Sequence, residues 1–150
     1  MLRHFGSREE QNDYLSRYLL DLQDCGESLR AVCVVARTAG EHKAVEQALR
    51  AQGVETTVIE RNAIDDGKDD AARLATMHRV KGLEFERVVM ASVNDGLVPL
   101  SAAMDTRSDD AARESAETEE RALVYVAATR ARRELPVLSY GMPSPLLSRD

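Results

Sequence analysis

The stretch Ala31-Val32-Cys33-Val34-Val35-Ala36, then Thr38-Ala39-Gly40-Glu41, and further on Gly53-Val54-Glu55-Thr56-Thr57-Val58-Ile59, decides the fold. An apolar, β-branched run without polar alternation is what a strand buried on both faces of a parallel sheet requires. Thr38 and Glu41 have the spacing of a capping box, in which a hydroxyl and a carboxylate satisfy each other's orphan backbone N–H groups. Ala44, Val45, Ala48 and Leu49 then fall on one helical stripe, and Gly53 supplies a left-handed stop. Val54–Ile59 reads as the next strand, so the segment is a βαβ unit.

The same signals extend outward. Upstream, Ser7-Arg8-Glu9-Glu10 repeats the capping pattern, and Tyr14, Leu15, Tyr18, Leu19 and Leu22 predict a helix to about residue 24. Residues 1–30 are thus an N-terminal helix and lead-in. Downstream comes a polar linker within 61–72, a short strand at Leu74–His78 and a stronger one at Arg87–Val93. Asp95-Gly96 marks a turn, Pro99 a break, and 101–116 a small, polar stretch. A helix is expected from about Thr118 to Glu134, then a strand at Pro136–Tyr140 and an irregular tail over 141–150. Strands alternate with helices, so the expected class is α/β with a mainly parallel sheet flanked by helices, one domain over residues 1–150.

The chain of 150 residues is 43% hydrophobic and 31% charged, too apolar for a disordered chain. No run approaches the roughly 18 apolar residues of a membrane span, and the first residues carry no signal-peptide core, so no membrane partner is expected. Two cysteines, Cys25 and Cys33, lack metal or redox spacing and fit a reducing, cytoplasmic setting. The net charge of -6 is unevenly spread. Residues 71–90 hold Arg73, Arg79, Lys81 and Arg87 against Glu84 and Glu86; residues 121–135 hold Arg121, Arg130, Arg132 and Arg133 against Glu134. Two basic islands on an acidic body are either a polyanion-contacting surface or a solvated face.

Candidate chemistry begins with absences. No Gly-x-x-x-x-Gly-Lys-[Ser/Thr] phosphate loop and no Gly-x-Gly-x-x-Gly occurs, and the three histidines have no paired metal spacing. Two segments remain. In Thr76-Met77-His78-Arg79-Val80-Lys81-Gly82-Leu83-Glu84-Phe85, a strand end delivers Thr76 and His78 to a sheet edge where ligands bind. Gly82 permits a close backbone approach or an unusual φ, and Glu84 offers a carboxylate that a sugar hydroxyl can use. In Glu119-Glu120-Arg121-Ala122-Leu123-Val124-Tyr125-Val126-Ala127-Ala128-Thr129-Arg130-Ala131, Arg130 shares a helical stripe with Leu123, Val126 and Ala127. It is either a directed guanidinium or the partner of Glu134 at i+4. His78 is either a ligand contact or a backbone-bonded histidine, and Thr76, Lys81 and Glu84 have equally plain readings as strand and turn residues.

The wording and order of the two segments narrow these alternatives. Thr-x-His-x-x-Lys-Gly-Leu-Glu-Phe, followed about 35 residues on by Glu-Glu-x-x-x-x-Tyr-Val-Ala-x-Thr-Arg-Ala, closely resembles motifs V and VI of the UvrD/Rep-type superfamily-1 DNA helicases. Gly96-Leu97-Val98-Pro99 resembles the family's Gly-x-x-Pro stretch, Val32–Thr38 the start of the same domain, and Pro143-Ser144-Pro145 its end. The resemblance implies a second RecA-like domain, a phosphate-loop NTPase fold without the phosphate loop. It implies an ATP site shared with an N-terminal RecA-like domain of the same parent protein, which would hold the Mg²⁺, and a track for single-stranded DNA. By position, Arg130 would reach the γ-phosphate, Gly82 and Glu84 would belong to the nucleotide site with Glu84 on the ribose, and Thr76, His78 and Arg37 would face the DNA backbone.

Departures qualify the likeness. The first motor domain and the Asn-Tyr-Arg-Ser-like segment of motif IV are not in the sequence, and about 15 residues separate Ile59 from Leu74, too few for the accessory domain that many relatives insert. With no tryptophan and 4% aromatic residues, DNA contact is expected to be mainly to phosphates. The alternative function is a stand-alone, non-catalytic protein- or DNA-binding module that kept the fold.

Overall fold

The computed structural model describes residues 1–60, 69–105 and 109–147. Most of the expected polar linker, residues 61–68, and the last three residues of the tail lie outside the described residues. In chain order the elements are β1 (Leu2–Phe5), α1 (Arg8–Asp24), β2 (Val32–Ala36), α2 (Ala39–Ala51), β3 (Thr56–Val58), β4 (Ala72–Thr76), β5 (Phe85–Met90), α3 (Ser101–Asp105), α4 (Asp110–Ala128), β6 (Ala131–Glu134) and β7 (Val137–Tyr140). Short 3₁₀ turns occupy Leu29–Ala31 and Pro145–Leu147.

The strands form one sheet in the order β1-β7-β5-β2-β4-β3, with β6 also on β5, and every strand pair is parallel. β2 is central, between β4 (Ala36 opposite Thr76) and β5 (Val32 opposite Arg87), and all five of its residues are buried. Its alternation divides the core. Val32 and Val34 pack with Leu15, Leu19, Val45 and Leu49 beneath α1 and α2, whereas Cys33 and Val35 pack with Met77, Val80, Met90 and Ala127 beneath α4. Burial on both faces explains why the sequence of β2 shows no polar alternation.

Each predicted capping box forms only in its hydroxyl half, since Glu10 accepts the Gly6 N–H and the Glu41 carboxylate accepts from Arg8 and Tyr140. The Ser7 hydroxyl accepts the Glu10 N–H at 3.2 Å, and the Thr38 hydroxyl accepts the Glu41 N–H at 3.2 Å. The last helix is where expectation fails. α4 starts at Asp110, capped by Asp109, and ends at Ala128, and Ala131–Glu134 is a strand rather than the helix's final turn. Helical propensity in Ala-Arg-Arg-Glu yields to pairing with the open edge of β5: the Phe85 N–H bonds the Arg130 carbonyl at 2.9 Å and Phe85 lies opposite Ala131. Ala131, Leu135 and Val137 pack against the α4-side core at strand spacing, a pattern that the arginine at 133 conceals. β1, a four-residue edge strand whose residues are largely exposed, also lies outside the elements that the sequence predicts.

Candidate nucleotide and DNA edges

Because the strands are parallel, the end of β4 and the start of β5 lie at opposite edges of the sheet. The segment 77–84 crosses from one to the other, with Met77 and Val80 buried against the α4-side core. The sequence-selected residues are thereby split into two groups. Thr76, His78 and Arg37 stand at the C-terminal edge, and Gly82, Glu84 and Arg130 at the N-terminal edge.

At the C-terminal edge, the Met77 N–H bonds the Ala36 carbonyl at 3.0 Å, which fixes the exit of β4 beside β2. Thr76 is half-buried and opens on a cleft of about 270 Å³ shared with Ala39, His42, Ile59 and Arg79. The Nδ1 of His42 is buried and has no hydrogen-bond partner among the described residues. His78 is exposed and opens on a different cleft, of about 410 Å³, lined by Arg37, Lys81, Glu120 and Leu123 among others. Thr76 and His78 are two residues apart but do not share a cleft.

Arg37 is not a free cation. Its Nε and Nη2 donate to the two carboxylate oxygens of Glu120, at 3.0 and 2.6 Å, with side-chain exposures of 11% and 6%. Glu120 also accepts the Leu100 N–H at 3.2 Å. Burial alone pushes the Glu120 carboxyl up, but Arg37 and the Leu100 N–H outweigh it and hold the group below its ordinary value. Glu120 takes two of the five guanidinium donors of Arg37 and compensates its charge, which weakens its pull on an external phosphate.

At the N-terminal edge, Val80–Leu83 is a β-turn closed by the Leu83 N–H on the Val80 carbonyl at 3.0 Å. Gly82 is its third residue, at φ 83°, where L side chains are strained. A Cβ there would meet no atom of the described residues beyond its two chain neighbours within 4 Å, so the turn, not close packing, requires glycine. The turn delivers Glu84 to the surface beside β6. Arg132 donates to Glu84 through Nε at 3.1 Å and Nη2 at 2.5 Å, and this hydrogen bond and its charge hold the Glu84 carboxyl below its ordinary value. Arg130, just past the Thr129 C-cap, is half-buried. It donates through Nε to the Val126 carbonyl at 3.2 Å and through Nη2 to the Thr129 hydroxyl at 3.3 Å. It forms no ion pair among the described residues. The i+4 alternative fails because Glu134 sits on a strand and is engaged by Arg87 and Tyr18.

The basic islands shrink once folded. Arg73 is fully buried, with its guanidinium on the Asp69 and Ala71 carbonyls. Arg87 is buried between Glu134 and Glu27, Arg121 pairs with Glu117, and Arg132 with Glu84. Arg79, Lys81 and Arg130 are the island cations without an ion pair among the described residues. Sequence reasoning did not single out Glu120 or Arg132 as site residues. Glu120 looks like one more carboxylate on a charged helix, and Arg132 falls within the helix that the sequence predicts but lies on a strand. Among the described residues no cluster of His, Cys, Asp or Glu fits a metal ion, and no helix is long and apolar enough to cross a membrane.

Comparison with known proteins adds to this geometry. The chain is similar in structure to the C-terminal domain of a possible DNA helicase from Lactobacillus plantarum WCFS1, with a TM-score of 0.71 over 99% of this chain and 78% of that one, at 22% sequence identity. That similarity supports the RecA-like α/β fold. In sequence it is 39% identical over 66 residues to the ATP-dependent DNA helicase Rep of Escherichia coli (strain K12), covering 44% of this chain and 9% of that protein. It is 43% identical over 67 residues to the ATP-dependent DNA helicase PcrA of Leuconostoc citreum, covering 45% of this chain and 8% of that protein. The match thus spans less than a tenth of the length of these curated relatives. The UvrD-like helicase C-terminal domain model matches residues 60–141, more than half of the chain, and the chain belongs to that family.

Proposed function

We propose that this chain acts as the C-terminal motor half of an ATP-dependent DNA helicase. In this reading an N-terminal RecA-like domain of the same parent protein holds ATP and its Mg²⁺. This chain supplies Arg130 to the γ-phosphate, Glu84 to a ribose hydroxyl, and Gly82 as the turn that presents Glu84. The observation that carries the reading is the state of Arg130: a half-buried guanidinium at a helix end, tied only to a backbone carbonyl and a neighbouring hydroxyl, with Glu84 beside it. Bonds of that kind orient an arginine without neutralising it, so its charge remains available to an incoming phosphate.

A guanidinium brought onto the oxygens of a transferring phosphoryl group accelerates hydrolysis by about 10³–10⁵, roughly 4–7 kcal/mol of barrier. Because it comes from the opposite lobe, hydrolysis is tied to closure of the cleft between lobes, and alternating closure moves the strand. Thr76 and His78 face single-stranded DNA phosphates at the other sheet edge, and Arg37 joins them by exchanging Glu120 for a phosphate.

The test is Arg130→Ala in the intact ATPase that contains this chain. Turnover falls by about 10³-fold or more while nucleotide binding persists; normal turnover overturns the assignment. The 150-residue chain by itself should show no DNA-stimulated ATPase activity, and robust activity would contradict a shared site. Single-stranded DNA binding without any ATPase in the intact protein would favour a non-catalytic binding module.

A further inference from the structure

The structure assigns a positioning role to Arg132: we infer that it holds the Glu84 carboxylate by one oxygen, so that the other is presented to the nucleotide ribose. The inference rests on the reading of Glu84 as the ribose carboxylate and goes beyond it by naming the residue that orients that group.

The irregular pairing of β5 with β6 builds the arrangement. Phe85 and Ala131 lie opposite each other and both turn into the α4-side core. The register then shifts by one residue, so that Arg87 lies opposite Glu134, and in this irregular stretch Glu84 and Glu86 both come within reach of Arg132. Both Arg132 bonds to Glu84, from Nε and Nη2, end on Oε2. An ionised carboxylate has about four acceptor sites, two on each oxygen. With Oε2 taken twice, Oε1 has no hydrogen bond from the described residues and is free to accept one. From the other side, Nη1 of Arg132 lies 3.7 Å from Oε1 of Glu86. The guanidinium is bracketed between two carboxylates on a strand rather than carried on a loop. The Arg132 hydrogen bond and charge, with a smaller contribution from Arg130, hold the Glu84 carboxyl below its ordinary value, so it is ionised where it must accept a hydrogen bond from a hydroxyl.

Side chains of this length, more than half exposed, would otherwise sample many rotamers and lose entropy on binding ligand. An arginine already seated on one oxygen removes part of that loss. Its effect is on binding before chemistry, hence on KM rather than kcat.

The experiment measures ATP KM and kcat in the intact ATPase for the parent protein, Arg132→Ala, Arg132→Lys, Glu84→Ala and the double variant Glu84→Ala/Arg132→Ala. Arg132→Ala raises KM roughly 2–5-fold, the size of effect an exposed pair supports, with kcat unchanged. Arg132→Lys falls between the two, because an ammonium supplies the charge but not the fork. In the Glu84→Ala background, Arg132→Ala adds nothing. An unchanged or lowered KM in Arg132→Ala, or additive effects in the double variant, overturns the role while leaving Glu84 in place. If Glu84→Ala itself leaves KM unchanged, the ribose assignment has failed and the role of Arg132 falls with it.

Discussion

Replacing Glu120 with alanine would strand two groups at once: the Arg37 guanidinium, 11% exposed, and the Leu100 N–H, which donates to the same carboxylate. Breaking a buried pair by removing one partner costs about 3–5 kcal/mol, because the remaining charge is left uncompensated. Arg37 also borders an open cleft, and water entering there compensates part of the loss. The expected cost is therefore at the low end, about 3 kcal/mol. For a chain of this length that lowers Tm by roughly 6–12 °C. The assay is urea and thermal unfolding of the 150-residue chain, with Arg37→Met/Glu120→Leu as the control. Replacing both charges removes the stranded cation, and more than half of the lost stability should return. The pair also fixes a pH dependence. Glu120 has a lowered pKa when folded, so its contribution is complete above the ordinary glutamate range and disappears as pH falls through the lowered value. The stability gap between parent and Glu120→Ala should narrow toward low pH. A cost below about 1 kcal/mol at neutral pH, typical of an exposed pair, would refute the reasoning by showing that cleft water serves Arg37 as well as Glu120 does.

Other outcomes follow from local geometry. Thr38→Ala removes the hydroxyl that caps α2 and should cost about 1 kcal/mol in urea unfolding, with no change in m-value. Gln11→Ala leaves the buried Ser92 N–H, now bonded to the Gln11 amide oxygen at 2.9 Å, without its acceptor, and a loss of about 1–3 kcal/mol is expected from the same measurement. Gly82→Ala meets no steric obstacle but must hold φ near 83°, so it should cost about 1–2 kcal/mol. If Thr76 and His78 contact phosphates, single-stranded DNA affinity should fall steeply with salt and depend little on sequence; a flat salt titration would argue against backbone contacts.

Much of the fold was legible because its determinants are local. β2 declares itself by an unbroken apolar run, and α1 and α2 by a capping hydroxyl ahead of a regular stripe. The end of α4 was not legible, because Ala131–Glu134 becomes a strand only through pairing with a partner 45 or more residues away in sequence, at Phe85–Arg87. That single non-local fact governed the site. It moved Arg130 from a helix stripe to a helix end, removed Glu134 as its partner and brought Arg132 onto Glu84. Charge counting located the basic islands but could not see that Arg73 and Arg87 are buried or that Arg132 is paired. Arg37 is placed by the resemblance alone, and only the folded contacts of Glu120 reveal that it is already engaged.

The placement of β1 bears on how the chain is made. Among the described strands, Leu2–Phe5 pairs only with Val137–Tyr140, so β1 has no neighbour until β7, some 130 residues further along the chain, has been synthesised. Loop closure over some 130 residues must precede any reward from that pairing, and until then an exposed strand edge is open to pairing with other chains. The sheet can assemble around β2, β4 and β5 during translation, but its β1 edge can be sealed only once β7 has emerged, which makes that edge the place where a nascent molecule is most open to a chaperone or to misassociation.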